Sequence, residues 1–370
     1  MRTIVDRILP TTMVGSYPRP QWFGYQLLGR DLRAAFKHVG HAEAFSDATL
    51  AAIHDQEAAG LDIVTDGQMC FDDYVGVIGS FCWYMYERIP GFEPAKEEHP
   101  IAAAGPASWT KEVALLSDWG GVVNSGPVAA GPLRLADLYK IAARHATRPL
   151  KVSVGAGPVN LAWHVYFKHY KDSRALSEAL APIFNAEMKE LVAAGARFLQ
   201  YEDLGAWLPL FTRNPDDFKW IVDVVRRCVE GVDAKIAWHF CYGNAWGNRL
   251  AGLFPAGYEA VLPALYDTPI DQFVLDFANR DMIDIAALKS LPGDKEVAVG
   301  VIDVRTSMVE TPEQVADRIR KVTAVVPPER VYLTTDCGMK PLSRTVAKMK
   351  LSALAAGADL VRRDLEGKRR

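Results

Sequence analysis

The amino-acid sequence predicts an α/β fold, a (β/α)8 TIM barrel with an insertion after the second strand. Short apolar runs alternate with longer helical patterns along nearly the whole chain, as in a parallel sheet covered by helices. Eight runs have the length of buried strands, and chemically reactive polar side chains follow seven of them. A length of 370 residues suits one large barrel, so we treat residues 1–370 as a single domain.

The predicted strands are runs of five or six residues that end at polar or glycine-containing loops. They are Thr11–Gly15, Asp62–Asp66, Lys151–Gly155, Arg197–Glu202, Lys235–Phe240, Gln272–Phe277, Glu296–Val301 and Arg330–Thr335. The predicted helices are Asp47–Ala59, Ser173–Ala194, Pro215–Val229, Met282–Leu288, Thr311–Val325 and Leu342–Ala356. Thr311 before Pro312 predicts a helix start, and Gly60, Gly195 and Gly357 are the predicted helix ends.

One stretch departs from this alternation. Residues 90–132 are rich in glycine, proline, alanine and serine, with short alternating segments such as Gly121–Ser125. We interpret the stretch as an insertion of one or two hairpins between the second and third strands, within the same domain.

The composition is that of an ordinary globular protein. The net charge of -3 gives no reason to expect a nucleic-acid or membrane partner, and no apolar run is long enough for a transmembrane helix. We therefore expect a cytoplasmic protein, and the sequence leaves open whether it is a homo-oligomer. Five cysteines in a chain of this length argue against a disulfide framework, so each is expected as a core residue, a metal ligand or a reactive thiol.

Three thiol and imidazole side chains follow predicted strands, where the catalytic groups of barrel enzymes lie. His239 and Cys241 alternate across Phe240 and therefore face the same way, and Cys337 follows the last strand. Asp276 follows another strand; its alternative interpretation is a structural carboxylate. Imidazole, thiolate and carboxylate ligands suit zinc, so the sequence predicts a zinc site made by these four residues.

The whole chain resembles the catalytic C-terminal barrel of the cobalamin-independent methionine synthases and their short single-domain relatives. The motifs that carry the resemblance are Val14–Arg19, Gly157–Val159, His239–Tyr242, Asp276–Met282, Gly300–Asp303 and Asp336–Lys340. The resemblance implies a zinc-containing barrel that binds a small thiol as a thiolate and transfers an alkyl group to its sulfur. It identifies His239, Cys241 and Cys337 as zinc ligands, whereas Asp276 stands where the family usually has glutamate. The residues it implies in substrate binding are Gly15, Ser16, Arg19, Gln68, Glu202, Asp203, Arg305 and Lys340.

Two of those positions depart from the methionine synthase pattern. Gln68 stands where the family has a carboxylate that holds the homocysteine ammonium, and Glu202 or Asp203 matches a second such carboxylate. Arg305 stands where the family has a histidine proposed as proton donor. Arginine binds carboxylates, sulfonates and phosphates instead, and a surface salt bridge is the alternative interpretation of this residue. We therefore expect an anionic thiol without an amine, such as coenzyme M, and an epoxyalkane:coenzyme M transferase. Methyl transfer to homocysteine is the alternative.

The expected donor is a small alkyl electrophile. Methionine synthases of full length have a second barrel that helps to hold folate, and no second barrel is expected here, so an epoxide or a corrinoid methyl group is favoured over a polyglutamyl folate. An opened epoxide needs a proton or electrostatic support, for which Tyr17, Tyr242 and Asp303 are the predicted catalytic residues. Two alternatives remain, a metal-free barrel of the uroporphyrinogen decarboxylase type and a structural zinc protein. Ligands spread over about 100 residues favour catalysis over a structural site.

Overall fold

In the part of the chain that the structure describes, the strands form two separate sheets. The computed structural model describes residues 2–23, 32–37, 39–71, 76–94, 122–243 and 256–368. The strands are β1 (Val64–Thr65), β2 (Phe92–Pro94), β3 (Val122–Asn124), β4 (Leu150–Ala156), β5 (Tyr166–Phe167), β6 (Phe198–Glu202), β7 (Lys235–His239), β8 (Gln272–Asp276), β9 (Glu296–Ile302) and β10 (Val331–Thr335).

The larger sheet has seven strands in the order β1-β4-β6-β7-β8-β9-β10, and every pair in it is parallel. All residues of β6, β7, β8, β9 and β10 are buried, which is the pattern of parallel strands covered on both faces. Because parallel strands all end at the same edge, this sheet gathers the residues that follow its strands at one end. The prediction of a parallel, barrel-like sheet is confirmed for these seven strands.

The predicted first strand is wrong as a regular strand, but its residues fill the gap between the two edges of the sheet. Thr11 makes a single parallel bridge to Leu333 of β10, and the backbone N–H groups of Asp62 and Ile63 both donate to the Thr11 carbonyl (3.1 and 3.0 Å). The buried Asp62 carboxylate also accepts the Thr11 N–H (2.9 Å). The sheet is therefore curled and joined edge to edge, as in a TIM-like barrel.

A clasp between the two ends of the chain supports this seam. Arg362 donates to the Leu9 carbonyl and to Asp62 Oδ2, both at 2.7 Å. Arg7 donates to the other oxygen of Asp62 (2.6 Å). Burial would raise the pKa of the Asp62 carboxyl, but the Thr11 N–H, Arg362, the Thr11 hydroxyl and Arg7 outweigh it and lower the pKa, so the clasp stays charged at neutral pH.

Helices pack between the strands in sequence. The α-helices are α1 (Leu32–Ala35), α2 (Val39–Ala58), α3 (Gly76–Tyr86), α4 (Leu135–Ala143), α5 (Pro158–Trp163), α6 (Ser173–Ala193), α7 (Leu208–Thr212), α8 (Asp217–Val229), α9 (Leu262–Leu265), α10 (Pro312–Thr323) and α11 (Arg344–Lys368). Short 3-10 helices cover Leu204–Trp207, Tyr258–Ala260, Ala278–Arg280, Ile283–Ser290 and Pro328–Arg330. No helix in the described part of the chain is both long enough and apolar enough to cross a membrane.

The predicted helix ends are confirmed in part. Thr311 caps α10 in a capping box with Gln314, as its position before a proline predicts. Gly60 and Gly195 have φ of +92° and +112°, values that favour glycine at a helix end. Gly357 is wrong as a cap, because α11 continues through it. A Cβ there would lie 2.6 Å from the Cβ of Val315, so this glycine lets α10 and α11 approach closely.

The middle of the predicted insertion, residues 95–121, lies outside the described residues. At its two ends β2 pairs antiparallel with β3, and β3 pairs parallel with β5, which makes a small three-stranded sheet. The predicted hairpin and its boundaries therefore stay a prediction.

Candidate metal centre

The carboxyl ends of β7 and β10 bring together one imidazole and two thiols. His239 is the last residue of β7, Cys241 follows two residues later, and Cys337 comes two residues after the end of β10. One ligand atom from each lies within 4.8 Å of the others, and the two sulfur atoms are 3.9 Å apart. The structure therefore brings three of the four predicted ligands into one cluster.

The imidazole of His239 is oriented by a carboxylate on the neighbouring strand. Glu202 of β6 lies opposite His239 in the parallel register, and its Oε2 is 3.6 Å from His239 Nδ1. The other ring nitrogen, Nε2, is buried and has no hydrogen-bond partner among the described residues. A buried nitrogen without a partner is costly in a metal-free site, and a carboxylate on the opposite ring nitrogen is the usual arrangement of a metal-bound histidine. The geometry therefore fits a metal bound through Nε2.

The Cys241 thiol does not ionise readily by itself. The neighbouring Cys337 thiol and burial raise the pKa of Cys241 well above its ordinary value, and His239 opposes them. Two thiolates 3.9 Å apart repel each other in a site of low dielectric unless a cation lies between them. The donor set thus matches a divalent, thiophilic metal such as zinc.

Glu202 is held by three donors. Gln68 Nε2 donates to Oε1 (2.8 Å), the Ser153 hydroxyl donates to the same oxygen, and His239 faces Oε2. Burial alone would raise the pKa of Glu202, but these donors outweigh it and lower the pKa. Ser153 was not among the predicted site residues, although strand alternation from Lys151 places it on the inward face of β4.

Asp276, the fourth predicted ligand, does not belong to the cluster. Its Oδ1 accepts the Tyr258 hydroxyl and the Tyr242 N–H (3.2 Å), and its Oδ2 accepts Asn279 Nδ2 (2.5 Å). Among the described residues, the ligand atoms that lie within 4.8 Å of one another belong to His239 and the two cysteines. Asp276 is not part of this group. The structure therefore favours the alternative of a structural carboxylate. Tyr258 could not be found from the sequence, since it lies outside any predicted strand.

Asp336 fixes the backbone beside Cys337. Its two oxygens accept the N–H groups of Phe277, Ala278 and Asn279 (3.0, 3.0 and 2.6 Å). The Asp336 side chain passes directly over β9, and a Cβ on Gly300 would lie 2.2 Å from Oδ1. Burial and the nearby Asp276 raise the pKa of Asp336 well above its usual range.

Arg305 and Asp303 neutralise each other. Arg305 Nε and Nη2 bind Asp303 Oδ1 and Oδ2 at 3.0 and 2.9 Å, and Nη2 also donates to the Asn279 carbonyl (2.6 Å). Burial would raise the pKa of Asp303, but Arg305 lowers it below its ordinary value. Asp303 is therefore ionised at neutral pH, so its predicted role as a proton donor is not supported. The same ion pair engages the guanidinium that was expected to bind an anionic substrate.

The Asp203 carboxylate stabilises the backbone that follows β4 and β6. Its Oδ1 accepts the N–H groups of Asn160 and Gly205 (both 2.8 Å), and its Oδ2 accepts the Val159 N–H (3.0 Å) and the Tyr201 hydroxyl (2.7 Å). Four donors use the acceptor capacity of a carboxylate. Its predicted contact with a substrate is therefore not supported.

The two tyrosines predicted as catalytic donate to other carboxylates. Tyr17 donates to Asp55 Oδ2 (3.2 Å) and Tyr242 to Asp284 Oδ2 (3.0 Å). Burial and these carboxylates raise the pKa of both phenols. Their protons are engaged in ion-dipole contacts within the fold, which does not support a role in protonating an alkoxide.

The loop after the predicted first strand lies against the cluster. The carbonyl of Ser16 accepts the Met339 N–H (2.7 Å), and a Cβ on Gly338 would lie 1.9 Å from Ser16 Oγ. On its other side, the Gly15 carbonyl accepts the Thr65 hydroxyl (2.8 Å). Gly15 and Ser16 therefore lie between β1 and the segment that carries Cys337, as a substrate-contacting loop requires.

Arg19 and Lys340 both donate hydrogen bonds to the loop that follows β1. Arg19 Nη2 donates to the carbonyls of Met69 and Phe71 (2.7 and 2.9 Å), and Lys340 Nζ donates to the Phe71 carbonyl (2.5 Å). Both side chains stabilise the backbone that precedes residues 72–75, which lie outside the described part. Their predicted contact with substrate stays a prediction.

Comparisons with known proteins agree with this arrangement. Residues 9–359 match the family described as "Cobalamin-independent synthase, Catalytic domain". A methionine synthase of Saccharolobus solfataricus is 34% identical over 365 residues, which cover 98% of this chain and 97% of that protein. A methionine synthase of Sulfurisphaera tokodaii is 30% identical over 361 residues, which cover 98% and 95% of the two chains.

Solved structures give the same result. A B12-independent methionine synthase from Shewanella, in complex with selenomethionine, superposes with a TM-score of 0.78 and 29% identity over 98% of this chain and 100% of that chain. A putative vitamin-B12 independent methionine synthase from Listeria monocytogenes, 16% identical with a TM-score of 0.63 over 96% of this chain and 99% of that chain, shares the fold. The prediction of an enzyme that forms a C–S bond at a thiol is confirmed by these relatives. The chain belongs to the family of cobalamin-independent synthase catalytic domains.

Proposed function

We propose that this protein is a zinc-dependent methyltransferase of the methionine synthase type, which transfers a methyl group to the thiol of homocysteine. The observation that carries the proposal is the cluster of His239, Cys241 and Cys337, with a buried imidazole nitrogen that lacks a partner. The match over residues 9–359 and the methionine synthase relatives support the choice of reaction. The described domain is proposed to act as one catalytic unit with two small-molecule substrates.

The three protein ligands leave room for a substrate. Catalytic zinc sites keep one coordination position open, whereas structural sites are closed by four protein ligands. Asp276 is bound by Tyr258 and Asn279 and so leaves the fourth position for the acceptor thiol. Cys337 is partly exposed, whereas His239 and Cys241 are buried, so the open side of the cluster is beside Cys337.

Zinc bound here would stabilise the thiolate form of the acceptor, which is otherwise mostly protonated at neutral pH. The residues of the chain supply the rest. Glu202 orients the His239 ring, Asp336 fixes the backbone beside Cys337, and the loop of Gly15 and Ser16 lies against the segment that carries Cys337. A rigid site of this kind holds the sulfur in position for in-line attack on the methyl carbon.

The acceptor proposed here differs from the coenzyme M expected from the sequence. That expectation depended on Arg305 as a free anion-binding group, and Arg305 is engaged by Asp303 through two hydrogen bonds. The Shewanella relative is described in complex with selenomethionine, a selenium analogue of the methionine product. Both observations favour an amino-acid acceptor and give no support to an epoxide donor. The methyl donor is proposed to be a methylated corrinoid or a methylated folate.

A direct assay of methionine formation tests the proposal. Purified zinc-loaded protein is incubated with homocysteine and either methylcobalamin or 5-methyltetrahydrofolate, and methionine is measured by mass spectrometry. We expect zinc-dependent methionine formation with at least one donor. In a parallel reaction coenzyme M and epoxypropane replace the substrates, and turnover of that pair without any methionine formation would overturn the proposal.

Cys337→Ser tests the role of the cluster, and Cys228→Ser is its matched control. The substitution removes one soft ligand at the partly exposed edge of the site, so zinc affinity and methionine formation should both fall while the far-ultraviolet circular dichroism is unchanged. Cys228→Ser is the comparison variant, because Cys228 is a buried core thiol on α8 outside the cluster. Loss of methionine formation in both variants alike would argue against a role for the cluster.

A further inference from the structure

Three buried polar side chains line the barrel interior one step below the metal cluster, toward the amino ends of the strands. Residues two positions apart on a strand share a face. The residues two before Ser153 and Glu202 therefore point into the barrel, as does the residue two after Tyr332, whose ring contacts Phe198 in the interior. They are Lys151 on β4, Gln200 on β6 and Thr334 on β10, and none is more than 1% exposed. We call these three the floor residues.

The floor residues carry polar atoms that the protein itself does not satisfy. Lys151 Nζ, Gln200 Oε1 and Thr334 Oγ1 are buried, and none has a hydrogen-bond partner among the described residues. Together they offer both donors and acceptors. Buried polar atoms grouped in this way generally bind internal water, which also solvates a charged amine. The floor is therefore a place where the barrel can hold a cation.

Lys151 lies beneath the carboxylate that faces His239. Its backbone is paired in register with Phe198, four residues before Glu202 on the same face of β6. Burial lowers the pKa of Lys151 to about 7, and the charge of Glu202 opposes this effect. Because Lys151 Nζ makes no hydrogen bond to Glu202, its charge acts through space on the whole centre rather than on one oxygen atom.

The charges of the proposed centre leave an excess of negative charge. A divalent metal would be balanced by the thiolates of Cys241 and Cys337. Glu202 and the acceptor thiolate are then two further negative charges in a buried site, where like charges repel strongly. A cation below the centre reduces this repulsion. Each negative charge that enters the centre also favours the protonated form of Lys151.

We propose that Lys151 is the internal counter-charge of the metal centre and favours binding of the acceptor in its thiolate form. This inference rests on the proposed function, since it assumes an acceptor that binds the metal through an anionic sulfur. Lys151 is a positioning residue, which acts through its charge and makes no contact with the acceptor. A buried amine without a protein partner costs folding free energy, so we expect Lys151 to serve binding and not stability.

The test compares two ligands that differ in the charge on sulfur. Homocysteine is proposed to bind as a thiolate, whereas methionine, its S-methylated product, has a neutral sulfur. Dissociation constants at pH 7 are measured by calorimetry with zinc-loaded wild-type protein and with Lys151→Met, which keeps the length of the side chain and removes its charge. We expect homocysteine binding to weaken by about 3- to 30-fold, and methionine binding to stay within about twofold of the wild type.

Two further variants separate charge from packing. Lys151→Arg retains a cation and should recover part of the loss. Lys151→Gln is neutral and polar and should behave as Lys151→Met does, so a folding defect in one neutral variant leaves the other to decide. Urea unfolding of the metal-free neutral variants should show a stability equal to or above that of the wild type.

The matched control is Lys295→Met, which makes the same change at a buried lysine just before β9. Lys295 Nζ donates to the carbonyls of Thr268 and Ile270, both at 2.9 Å, and Lys295 lies at the opposite end of the sheet from the metal cluster. The variant should bind both ligands as the wild type does. Equal weakening of homocysteine and methionine by the neutral variants of Lys151, or unchanged homocysteine binding, would overturn the inference.

A third ligand separates this inference from the proposed function. 2-Mercaptoethanol is a thiol without a charged group, and its binding should be weakened by Lys151→Met as that of homocysteine is. If the wild type binds 2-mercaptoethanol but not homocysteine, the proposed acceptor is wrong, and the effect of Lys151→Met on 2-mercaptoethanol alone decides the role of Lys151.

Discussion

Replacing Glu202 by glutamine tests whether this carboxylate supports the metal through His239. The substitution keeps the size of the side chain and removes its charge. The oxygen of the new amide would keep the hydrogen bonds from Gln68 and Ser153, which both reach the same oxygen of Glu202. Its NH2 group would then face His239 Nδ1, 3.6 Å from the present Oε2.

The expected magnitude follows from this geometry. When Nε2 binds the metal, Nδ1 carries the hydrogen, so the variant sets two donors against each other in a buried site. Loss of such an outer partner of a metal-bound histidine costs about 10- to 100-fold in metal affinity, or about 1.4–2.8 kcal/mol. We expect Glu202→Gln to lie near the upper end, because the wild-type carboxylate is buried and ionised.

The assay is a competition for zinc between the protein and a chromophoric chelator of known affinity. Glu187→Gln serves as the matched control, since it makes the same chemical change on α6, outside the cluster. Ser153→Ala removes one donor to Glu202 without disturbing His239, so its loss should be smaller. A folded Glu202→Gln protein that binds zinc as tightly as the wild type would refute the assignment of Glu202 as a partner of His239.

Three further predictions concern positions around the site and in the fold. Gly300→Ala should lower the free energy of unfolding by about 1–3 kcal/mol in urea titrations, because the new Cβ would lie 2.2 Å from Asp336 Oδ1. An unchanged unfolding midpoint would show that β9 and β10 can shift to accommodate the methyl group without cost. Asp276→Asn should keep one zinc per chain with affinity within about threefold of the wild type, and a loss as large as that of Glu202→Gln would show that Asp276 is a ligand after all. Burial and neighbouring acids raise the pKa of Glu187 from 4.5 to about 7, so folded protein loses stability relative to unfolded protein as pH rises between those values. Glu187→Gln should therefore become more stable than the wild type from pH 5 to pH 8 in urea unfolding, and parallel pH profiles would contradict this.

The parts of the fold that the sequence could predict are those set by local pattern. Buried runs such as Lys235–Phe240 predict parallel strands because both faces are covered, and β7 covers Lys235–His239. The helix that begins after Thr311 follows from local capping chemistry. The segment Thr11–Gly15 is not a regular strand: it makes one bridge to Leu333, and Thr11 also bonds the backbone and carboxylate of Asp62, side-chain contacts that strand pattern does not contain.

In the candidate site, too, the residues set by local pattern could be predicted and the side-chain contacts could not. His239, Cys241 and Cys337 could be identified because the end of each strand is itself a sequence feature. The engagement of Asp276 by Tyr258, and of Arg305 by Asp303, depends on side-chain directions that strand pattern does not contain. The first contact leaves the protein with three metal ligands instead of four. The second engages the guanidinium expected to bind an anionic thiol, so the proposed acceptor changes from coenzyme M to homocysteine.

The clasp of Arg362 on Leu9 and Asp62 has a consequence for how the chain folds during synthesis. Arg362 and Leu9 are 353 positions apart, and Thr11 meets Leu333 in the same seam. Asp62, the other partner of this segment, is made early, but a ribosome has made nearly all of the sequence before Leu333 and Arg362 exist, so these contacts can form only after the inner strands. Contacts of such long sequence separation are slow to form. The last step of folding should therefore be the docking of residues 7–14, and hydrogen exchange of a nascent chain stalled before Leu333 would find them unprotected.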